Sequence, residues 1–392
     1  MFNTAVIGAA GYTGIELVRY ILRHPKLGLI SASSDSDAGL PLASLYPALN
    51  GRHFTGDIFV PHSKVVKQAQ SKELDLVFLA VPHTAAMPLV YSLLEAQVCV
   101  IDLSADFRLR DASVYEKWYG HTHTHPELLK AAAYGLPELF REDLLALAKK
   151  RQKNIALAKT DLEINYVEKN KLNKNLSQAV ADNGVLVANP GCYPTATALA
   201  IAPALRSGCV DTNASAPIVV NAISGVSGAG RKATAITQFC TVDSNLNAYG
   251  ATTHRHTPEI QQSLSRLAGR NDIGVVFTPH LAPLKRGMVS TVVAALNDDI
   301  DANELQKIYE KTYNNEVFVS VLPLGTMPQS AAVAGTNNAH VGIAICNETR
   351  SLVASCAIDN LGKGAAAQAI QNANIILGLE ETIGLCEIGA IV

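Results

Sequence analysis

Short apolar runs alternate with helical patterns over the first 110 residues of the chain. The runs contain few polar residues, as do strands that are covered on both faces of a parallel sheet. The predicted strands are TAVIGAA (4–10), LGLISAS (27–33), LDLVFLAV (74–81) and VCVIDL (98–103), and the predicted helices are GIELVRYILRH (14–24) and TAAMPLVYSLLEAQ (84–97). This alternation predicts an α/β domain of the Rossmann type with a doubly wound parallel sheet.

The pattern changes after residue 192, where strands follow one another with few helices between them. The predicted strands are APIVVNAIS (216–224), GVVFTPHL (274–281), MVSTVVAAL (288–296), VFVSVLP (317–323), HVGIAIC (340–346) and SLVASCAID (351–359), with helices at 304–313 and 363–379. Successive strands of this kind predict an α+β domain with a mostly antiparallel sheet.

Length and composition exclude several classes of protein. A chain of 392 residues is too long for one ordinary core, so two domains are expected. The formal charge of −2 argues against a nucleic-acid-binding protein, which normally carries a basic excess. No apolar run reaches the roughly 20 residues that cross a bilayer, and the N-terminus lacks the features of a signal peptide. The seven cysteines are scattered without a CxxC pair, which is typical of the reducing cytoplasm.

A polar segment rich in Lys, Asn and Gln covers residues 149–183. Its weak periodicity predicts an insertion on the surface, either a solvated loop or a short helix. A basic interaction patch is the alternative interpretation.

A glycine-rich turn, GAAGYTG (8–14), joins the first predicted strand to the first predicted helix. Gly8, Gly11 and Gly14 would let the backbone approach a pyrophosphate at the positive end of the helix, while Tyr12 and Thr13 offer amides and a hydroxyl. The usual fingerprint is Gly-x-Gly-x-x-Gly, so the flanking strand and helix carry the prediction of a dinucleotide site.

The end of the second strand distinguishes NAD from NADP. Rossmann domains that bind NAD usually place an acidic residue there, on the ribose 2′-hydroxyl. Here Ser33 and Ser34 offer hydroxyls that could bind a 2′-phosphate, which favours NADP(H). Asp35 and Asp37 follow closely and keep NAD open as an alternative.

Cys192 lies in NPGCYPTA (189–196), between a glycine and a proline that is suited to the first position of a helix. A free thiol has a pKa of about 8.5, and the N-terminal dipole of a helix that starts at Pro194 would help it to ionise. Beside a nicotinamide site, a thiolate indicates attack on an acyl carbon followed by hydride transfer. A purely structural cysteine is the alternative.

The motif HRHTPE (254–259) is the best candidate for the base that a cysteine nucleophile needs. Thr257 could cap a helix that begins at Pro258, with Glu259 in its first turn. His256 would then lie at a helix N-terminus, which disfavours the imidazolium and keeps a neutral base. His254 would share a face with His256, and no metal is expected at this pair. The histidines of HTHTH (121–125) are interpreted as part of a surface loop.

Two arginines are candidates for binding an anionic substrate. Arg108 follows a predicted parallel strand at the edge where open α/β sheets bind ligands. Arg231 ends the flexible loop GVSGAGR (225–231), and a guanidinium suits a phosphate or a carboxylate. Lys285 and Arg286 are weaker candidates.

Eight motifs, in order and over nearly the whole chain, resemble those of the N-acetyl-γ-glutamyl-phosphate reductase family, which is related to aspartate-semialdehyde dehydrogenases. They are GAAGYTG, LSADFR, YGLPE, NPGCYPT, GVSGAGR, HRHTPE, FTPHLAPLKRGM and DNLGKGAA. The resemblance implies an NADPH-dependent reductive dephosphorylation of N-acetyl-γ-glutamyl phosphate, through a cysteine thioester, to the 5-semialdehyde and phosphate in arginine biosynthesis. A reductase of acetyl-aminoadipyl or aspartyl phosphate is the nearest alternative, and a catalytically silent dinucleotide sensor is a more distant one.

By the same resemblance, Cys192 would be the nucleophile, His256 the acid/base beside His254, and Arg108 the residue that faces the phosphate. Asn360 of DNLGKG would lie near the nicotinamide.

The resemblance also implies the domain organisation. The expected boundaries are a dinucleotide-binding domain at 1–188, completed by the C-terminal segment 361–392, and a catalytic domain at 189–360. The latter would join subunits into a homodimer or homotetramer, mainly through its sheet.

Overall fold

The computed structural model describes residues 1–161, 176–213, 216–297, 299–385 and 388–389. The chain divides into two compact units. Unit 1 comprises Met1–Asn189 and Ala369–Gly384, and unit 2 comprises Pro190–Gln368 and Leu385–Val392. The C-terminal segment of unit 1 is therefore shorter than the expected 361–392.

Unit 1 contains, among its described residues, a sheet of seven strands that are all parallel, in the order β3-β2-β1-β4-β5-β7-β6. The strands are β1 (Phe2–Ile7), β2 (Leu27–Ser33), β3 (Phe59–Val60), β4 (Leu76–Leu79), β5 (Cys99–Asp102), β6 (Ala133–Tyr134) and β7 (Leu186–Ala188). All residues of β4 and β5 are buried, as expected for strands covered on both faces. The predicted Rossmann-type domain is confirmed.

Helices follow the strands of unit 1. They are α1 (Tyr12–Ile21), α2 (Leu42–Leu45), α3 (His62–Gln70), α4 (Ala86–Glu95), α5 (Ala112–Tyr119), α6 (Glu127–Ala131), α7 (Pro137–Asp161) and α8 (Leu176–Asn183). Helix α7 has non-helical dihedral angles at Phe140. Of the predicted insertion at 149–183, residues 162–175 lie outside the described residues.

Unit 2 contains a mixed, mostly antiparallel sheet in the order β12-β13-β14-β11-β8-β10-β9, which confirms the predicted α+β architecture. Its strands are β8 (Ile218–Gly225), β9 (Asn247–Ala248), β10 (Val275–Ala282), β11 (Met288–Ala295), β12 (Val319–Val321), β13 (Ala339–Cys346) and β14 (Ser351–Ile358). Strands β8 and β10 pair in parallel, as do β12 and β13.

Unit 2 has further helices besides α9 (Cys192–Ser207). They are α10 (Phe239–Val242), α11 (Thr257–Ala268), α12 (Ala302–Tyr313), α13 (Ser330–Val333) and, after a π-helical turn at Gly362–Ala366, the first residues of α14 (Ala367–Leu377). Helix α9 is buried from Tyr193 to Leu205, because it packs on β11 and β14 of the sheet and on α11 and α12. Its all-round apolar sequence fits this central position.

Among the described residues, no helix is both long enough and apolar enough to cross a membrane.

Candidate active site

Cys192 is the first residue of α9, and Gly191 is the N-cap. The prediction that the helix starts at Pro194 is wrong by two residues. A proline is tolerated anywhere in the first turn, because the amide that it lacks has no partner within the helix. The thiol is therefore carried by the first turn itself, within reach of the positive end of the helix dipole.

Glu259 joins the start of α9 to the start of α11. Its carboxylate Oε1 accepts a hydrogen bond of 2.9 Å from the backbone N–H of Gly191, and the side chain is only 1% exposed. Glu259 is the last residue of the HRHTPE motif and belongs to the first turn of α11. The sequence indicated Glu259 as a favourable first-turn residue of α11, but not its contact with the cysteine turn.

His256 occupies the N-cap of α11, since the helix begins at Thr257 rather than at Pro258. Within the described part of the chain, the buried Thr257 hydroxyl has no hydrogen-bond partner, so the prediction that it caps the helix is wrong. The expected location of His256 at a helix N-terminus is confirmed. An imidazolium is disfavoured at this end of a helix dipole.

His254 is held as a neutral imidazole. Its Nδ1 accepts a hydrogen bond of 3.1 Å from the backbone N–H of His256, which places the proton of the neutral ring on Nε2. Burial, helped by the neighbouring Arg255 charge, lowers the pKa of His254 to about 4. His254 therefore stays uncharged at neutral pH and orients the chain at His256.

Aromatic rings connect the cysteine to this histidine pair. The hydroxyl of Tyr193, the residue after Cys192, lies 3.1 Å from the hydroxyl of Tyr249 and 3.3 Å from the carbonyl oxygen of His280. The ring of Tyr193 contacts His254 and His256 edge-on, with centroids 5.6 and 5.8 Å apart. The structure thus brings the start of α9 and both histidines together within unit 2.

Tyr249 completes the aromatic enclosure, and the sequence analysis missed it. Its ring centroid is 5.4 Å from that of His254, and Phe277 lies at the same centroid distance from this imidazole. Burial is the main cause that raises the pKa of Tyr249 to about 12, so the phenol remains protonated at neutral pH. No motif marked Tyr249, although it precedes His254 by only five residues.

Asn360 connects two loops of unit 2. Its Oδ1 accepts a hydrogen bond from the Gly287 N–H at 2.8 Å, and its Nδ2 donates one to the Ser227 hydroxyl at 2.9 Å. These bonds hold the predicted anion-binding loop 225–231 near the end of β14. The role of Asn360 towards a nicotinamide stays a prediction.

The glycine turn of unit 1 has the shape that a pyrophosphate needs. Gly8 has φ +86°, and a Cβ there would lie 2.5 Å from the carbonyl oxygen of Ala80. A Cβ at Gly14 would lie 2.2 Å from the carbonyl oxygen of Gly8. Among the described residues, a Cβ at Gly11, the N-cap of α1, would have Gly8 O as its one neighbour within 4 Å, at 3.6 Å, and the N-cap offers no side chain to the helix. Two glycines therefore serve close packing, while the third leaves the helix N-terminus open to an anion.

Tyr12 and Thr13 are the first two residues of α1, so their amides belong to this N-terminus. The residues present fit the diphosphate of a dinucleotide, which lends support to the predicted site.

Ser33 and Ser34 are engaged with neighbouring side chains at the end of β2. The Ser33 hydroxyl lies 2.9 Å from Nδ1 of His62, and the Ser34 hydroxyl donates to the Asp37 carboxylate at 2.6 Å. His62 is the first residue of α3, and no sequence motif marked it as part of this site. A 2′-phosphate here would compete with Asp37 for the Ser34 hydroxyl.

Arg108 is buried in unit 1, with 6% of its surface exposed. Its Nε donates to the carbonyl oxygen of Asn189 at 2.8 Å, and its Nη2 donates to that of Leu103 at 2.7 Å. Arg108 therefore fixes the chain three residues before Cys192. Burial, followed by repulsion from Asp106, raises the pKa of the nearby Asp102 carboxyl to about 7.

Arg231 lies exposed in unit 2, after the short helical turn Val226–Ala229. Its guanidinium is accessible to an anion from solvent. Arg286, a weaker candidate, donates from Nε to the buried Asp359 carboxylate at 2.9 Å.

The histidines at 121–125 have structural partners. Nε2 of His123 lies 2.8 Å from the carbonyl oxygen of Asp106, and its Nδ1 accepts from the His125 N–H at 3.1 Å. His123 is also buried, unlike the surface loop that was expected. Both ring nitrogens of His123 are therefore used by the main chain.

Comparison with known proteins agrees with this arrangement. Residues 3–147 match the family model of the semialdehyde dehydrogenase NAD-binding domain, and residues 192–360 match that of the semialdehyde dehydrogenase dimerisation domain. The N-acetyl-γ-glutamyl-phosphate reductases of Moorella thermoacetica and Desulfotalea psychrophila are 41% and 42% identical to the chain, and each alignment covers 98% of both sequences. The chain belongs to the N-acetyl-γ-glutamyl-phosphate reductase family.

Membership in the N-acetyl-γ-glutamyl-phosphate reductase family confirms the resemblance of the eight motifs. The chain is thus an oxidoreductase of the semialdehyde dehydrogenase group with an NAD(P)-binding domain and a dimerisation domain. Among solved structures, aspartate semialdehyde dehydrogenase II of Vibrio cholerae has a TM-score of 0.66 at 18% identity. The superposition covers 96% of this chain and 98% of that protein. The NADP complex of the Candida albicans aspartate semialdehyde dehydrogenase has a TM-score of 0.62 at 13% identity, covering 96% and 98%. These two likenesses show the shared fold.

Proposed function

We propose that the protein reduces N-acetyl-γ-glutamyl phosphate with NADPH to N-acetylglutamate 5-semialdehyde and phosphate, as a cytoplasmic enzyme of arginine biosynthesis. The observation that carries this proposal is the joining of Cys192, at the start of α9, to His256, at the start of α11, through Glu259 and Tyr193. The names of the relatives, which are similar over 98% of the chain, supply the substrate.

Cys192 acts as the nucleophile in this proposal. Its sulfur attacks the carbonyl carbon of the acyl phosphate, the C–O bond to phosphate breaks, and a thioester forms on Cys192. His256 accepts the thiol proton, which leaves with the phosphate. A neutral imidazole can accept it, and the N-cap position favours that form.

The second half of the reaction releases the aldehyde. Bound NADPH supplies the hydride that reduces the thioester carbon. The C–S bond then breaks, and a proton that His256 takes up from solvent passes to the sulfur and restores the Cys192 thiol. His254 does not exchange a proton in this scheme, because its lowered pKa keeps it neutral and its Nδ1 is bound to the His256 amide.

The cofactor and phosphate sites follow the sequence prediction. The glycine turn with Gly8, Gly11 and Gly14 would hold the pyrophosphate, and Tyr12 and Thr13 would donate amides to it. Ser33 and Ser34 would meet the 2′-phosphate, and Asn360 the nicotinamide. Arg231, which is exposed, would neutralise the phosphate of the substrate. Arg108 is the second proposed phosphate ligand, although its Nε and Nη2 already bind the carbonyl oxygens of Asn189 and Leu103.

The reverse reaction tests the substrate. The protein would be assayed with NADP, inorganic phosphate and each of three aldehydes: N-acetylglutamate 5-semialdehyde, acetyl-aminoadipate semialdehyde and aspartate semialdehyde. One methylene is worth about 1–3 kcal/mol, so kcat/KM for the first should exceed that for the second by about 10- to 200-fold. A higher value for either rival would reassign the substrate. If none of the three aldehydes reduces NADP in a phosphate-dependent reaction, the result would favour the catalytically silent dinucleotide sensor.

We further propose that the dimerisation domain makes a homodimer through the face of the unit 2 sheet that points away from α9. Ser290 on β11 bonds to Thr197 of α9, whereas the alternate residues of β11 point to the other face. On that face Ile223 and Val276 are 39% and 40% exposed. The same face carries the polar Asn221 and Thr291, and a mixture of exposed apolar and polar residues is typical of a subunit interface. Light scattering should give twice the chain mass, and Ile223→Lys should yield monomers.

A further inference from the structure

The turn after β14 is organised around one buried carboxylate. Asp359 is 0% exposed, and its Oδ1 accepts from the backbone N–H groups of Leu361 and Gly362 at 2.8 and 3.0 Å. Its Oδ2 accepts from Arg286 Nε at 2.9 Å and from the Gly335 N–H. Both oxygens are satisfied and the charge is paired, as a buried carboxylate requires. The path of the chain from Asp359 to Gly362 is therefore fixed.

The π-helical turn that follows brings a glycine against the cysteine. Residues Gly362–Ala366 form the π turn, and the Gly364 N–H donates to the Asp359 carbonyl oxygen at 2.9 Å. A Cβ at Gly364 would lie 2.7 Å from Cβ and 3.2 Å from Cα of Cys192. Only a residue without a side chain leaves Cys192 where it is. Single π turns occur frequently at functional sites.

A second bond ties the same segment to the first turn of α9. Nε2 of Gln368 donates to the Thr195 hydroxyl at 3.1 Å, and both side chains are fully buried. Residues 359–368 thus contact α9 at Cys192 through packing and at Thr195 through a hydrogen bond. Both contacts act on the first turn, which carries the thiol.

We propose that Gly364 and Gln368, anchored by the Asp359–Arg286 ion pair, are positioning residues that set the place of Cys192 at the start of α9. This rests on the proposed role of Cys192 as the nucleophile. It also gives Arg286 a role other than the anion binding that its sequence suggested. A displacement of about 1 Å in an attacking atom can lower a rate about 100-fold, so a methyl group at Gly364 should act mainly on the chemical step.

The test compares Gly364→Ala with Gly274→Ala. A Cβ at Gly274 would find its nearest atom, in Pro217, at 3.5 Å, which is ordinary contact, so this control should behave as wild type. For Gly364→Ala we expect kcat to fall about 100-fold, with KM for the acyl phosphate and Kd for NADPH within about twofold, or ~0.4 kcal/mol. The pH profile of Cys192 alkylation by iodoacetamide should also change, which a purely structural role would not require.

Gln368→Met is the second variant, because Gly364→Ala can fail to fold. Methionine keeps the length of the side chain and removes the bond to Thr195, so a fall in kcat of about tenfold, or ~1.4 kcal/mol in the barrier, is expected with the same shift in the alkylation profile. Wild-type kcat and an unchanged profile in a folded Gly364→Ala, or in Gln368→Met, would overturn the inference. Full activity of Cys192→Ser would instead overturn the proposed function, so the two failures are distinguishable.

Discussion

Helices α1 and α9 begin with the same backbone geometry, although they belong to different units. Gly11 is the N-cap of α1 with φ −79° and ψ 163°, and Gly191 is the N-cap of α9 with φ −70° and ψ 158°. No side chain of the N-cap satisfies the first amides of either helix. The same local structure would thus serve a pyrophosphate in unit 1 and a thiolate in unit 2.

The two turns differ in the residues that hold them. The turn at Gly11 is closed largely by its own motif, because Gly8 and Gly14 pack against each other and the chain at Ala80. The turn at Cys192 is held by Glu259 and Gly364, which lie far along the sequence. Apart from the contact with Ala80, the shape of the glycine turn is therefore encoded locally, whereas the position of Cys192 depends on long-range packing. The following changes test this contrast.

Replacing Cys192 by Ala should have the largest effect. It should abolish turnover while leaving the binding of NADPH at the glycine turn unchanged. Without a nucleophile no thioester forms, so turnover should fall by at least about 10⁴-fold. The Kd for NADPH, measured by fluorescence titration, should stay at the wild-type value because the glycine turn is untouched. If both activity and NADPH binding are lost, the cysteine is structural.

The histidines should differ in the size of their effect. His256→Asn removes the proton acceptor and should lower kcat by about 10²- to 10⁴-fold. His254→Asn keeps an acceptor for the His256 amide and should cost about tenfold, or ~1.4 kcal/mol in the barrier. Steady-state kinetics at neutral pH measure both. The reverse ranking would exchange the two roles.

Gly11→Ala should weaken the binding of the cofactor without destabilising the fold. A methyl group there meets only Gly8 O, at 3.6 Å, but it would stand where the pyrophosphate approaches. KM for NADPH should rise about tenfold, or ~1.4 kcal/mol, with Tm within about 2 °C of wild type. Gly8→Ala is the contrasting variant, since φ +86° and the contact with Ala80 O should destabilise unit 1. An unchanged KM for NADPH in Gly11→Ala would mean that the pyrophosphate does not bind at this turn.

Glu259→Ala should show how much the turn at Cys192 depends on a remote side chain. It leaves the buried Gly191 N–H without its acceptor, which costs about 1–3 kcal/mol of the free energy of unfolding. Glu259→Gln keeps an oxygen at this place and should retain most of that stability. Chemical denaturation measures both variants. Equal losses in the two would mean that the charge, rather than the hydrogen bond, is what matters.

The sequence predicted the turn at Gly11 more completely than the turn at Cys192, and the reason is physical. Strand, glycine turn and helix lie within about twenty residues at the N-terminus, so periodicity and glycine spacing describe most of the glycine turn. At Cys192 the sequence predicted a thiol beside a helix, but it placed the helix start at Pro194 because a proline in the first turn fits several positions equally well. The contacts of Gly364 and Tyr249 depend on tertiary packing, which no local pattern encodes. The same holds for the hydrogen bond that Glu259 accepts from the Gly191 N–H.

Ser34 shows a limit of a different kind. The lack of an acidic residue at the end of β2 led to the prediction that the Ser34 hydroxyl binds a 2′-phosphate, but in the structure that hydroxyl donates to Asp37, three residues later. Which acceptor a hydroxyl binds depends on its rotamer and on the local course of the chain, so the sequence alone does not reveal the contact with Asp37.

The smallest expected effect concerns the dependence of stability on pH, and it tests whether His254 is buried as a neutral ring. Its pKa falls from 6.5 to about 4 on folding, with burial as the first cause. Between these pH values the unfolded chain binds a proton that the folded chain does not, so the free energy of unfolding falls as the pH falls. Above about pH 6.5, His254 does not change the free energy of unfolding with pH. Between about pH 4 and pH 6.5, each pH unit of acidification lowers the free energy of unfolding by at most about 1.4 kcal/mol.

His254→Asn should therefore lose less Tm than wild type between pH 7 and pH 5, because the carboxamide oxygen can replace Nδ1 without titrating. His53→Asn is the control for the substitution itself, since the side chain of His53 is 94% exposed. Burial also lowers the pKa of His24, His62, His123 and His340, so part of the slope should remain in the variant. If His254→Asn loses as much Tm as wild type over this interval, His254 binds its proton as readily in the folded chain as in the unfolded one. His254 could then share proton transfer with His256, and the division of roles between the two histidines would fail.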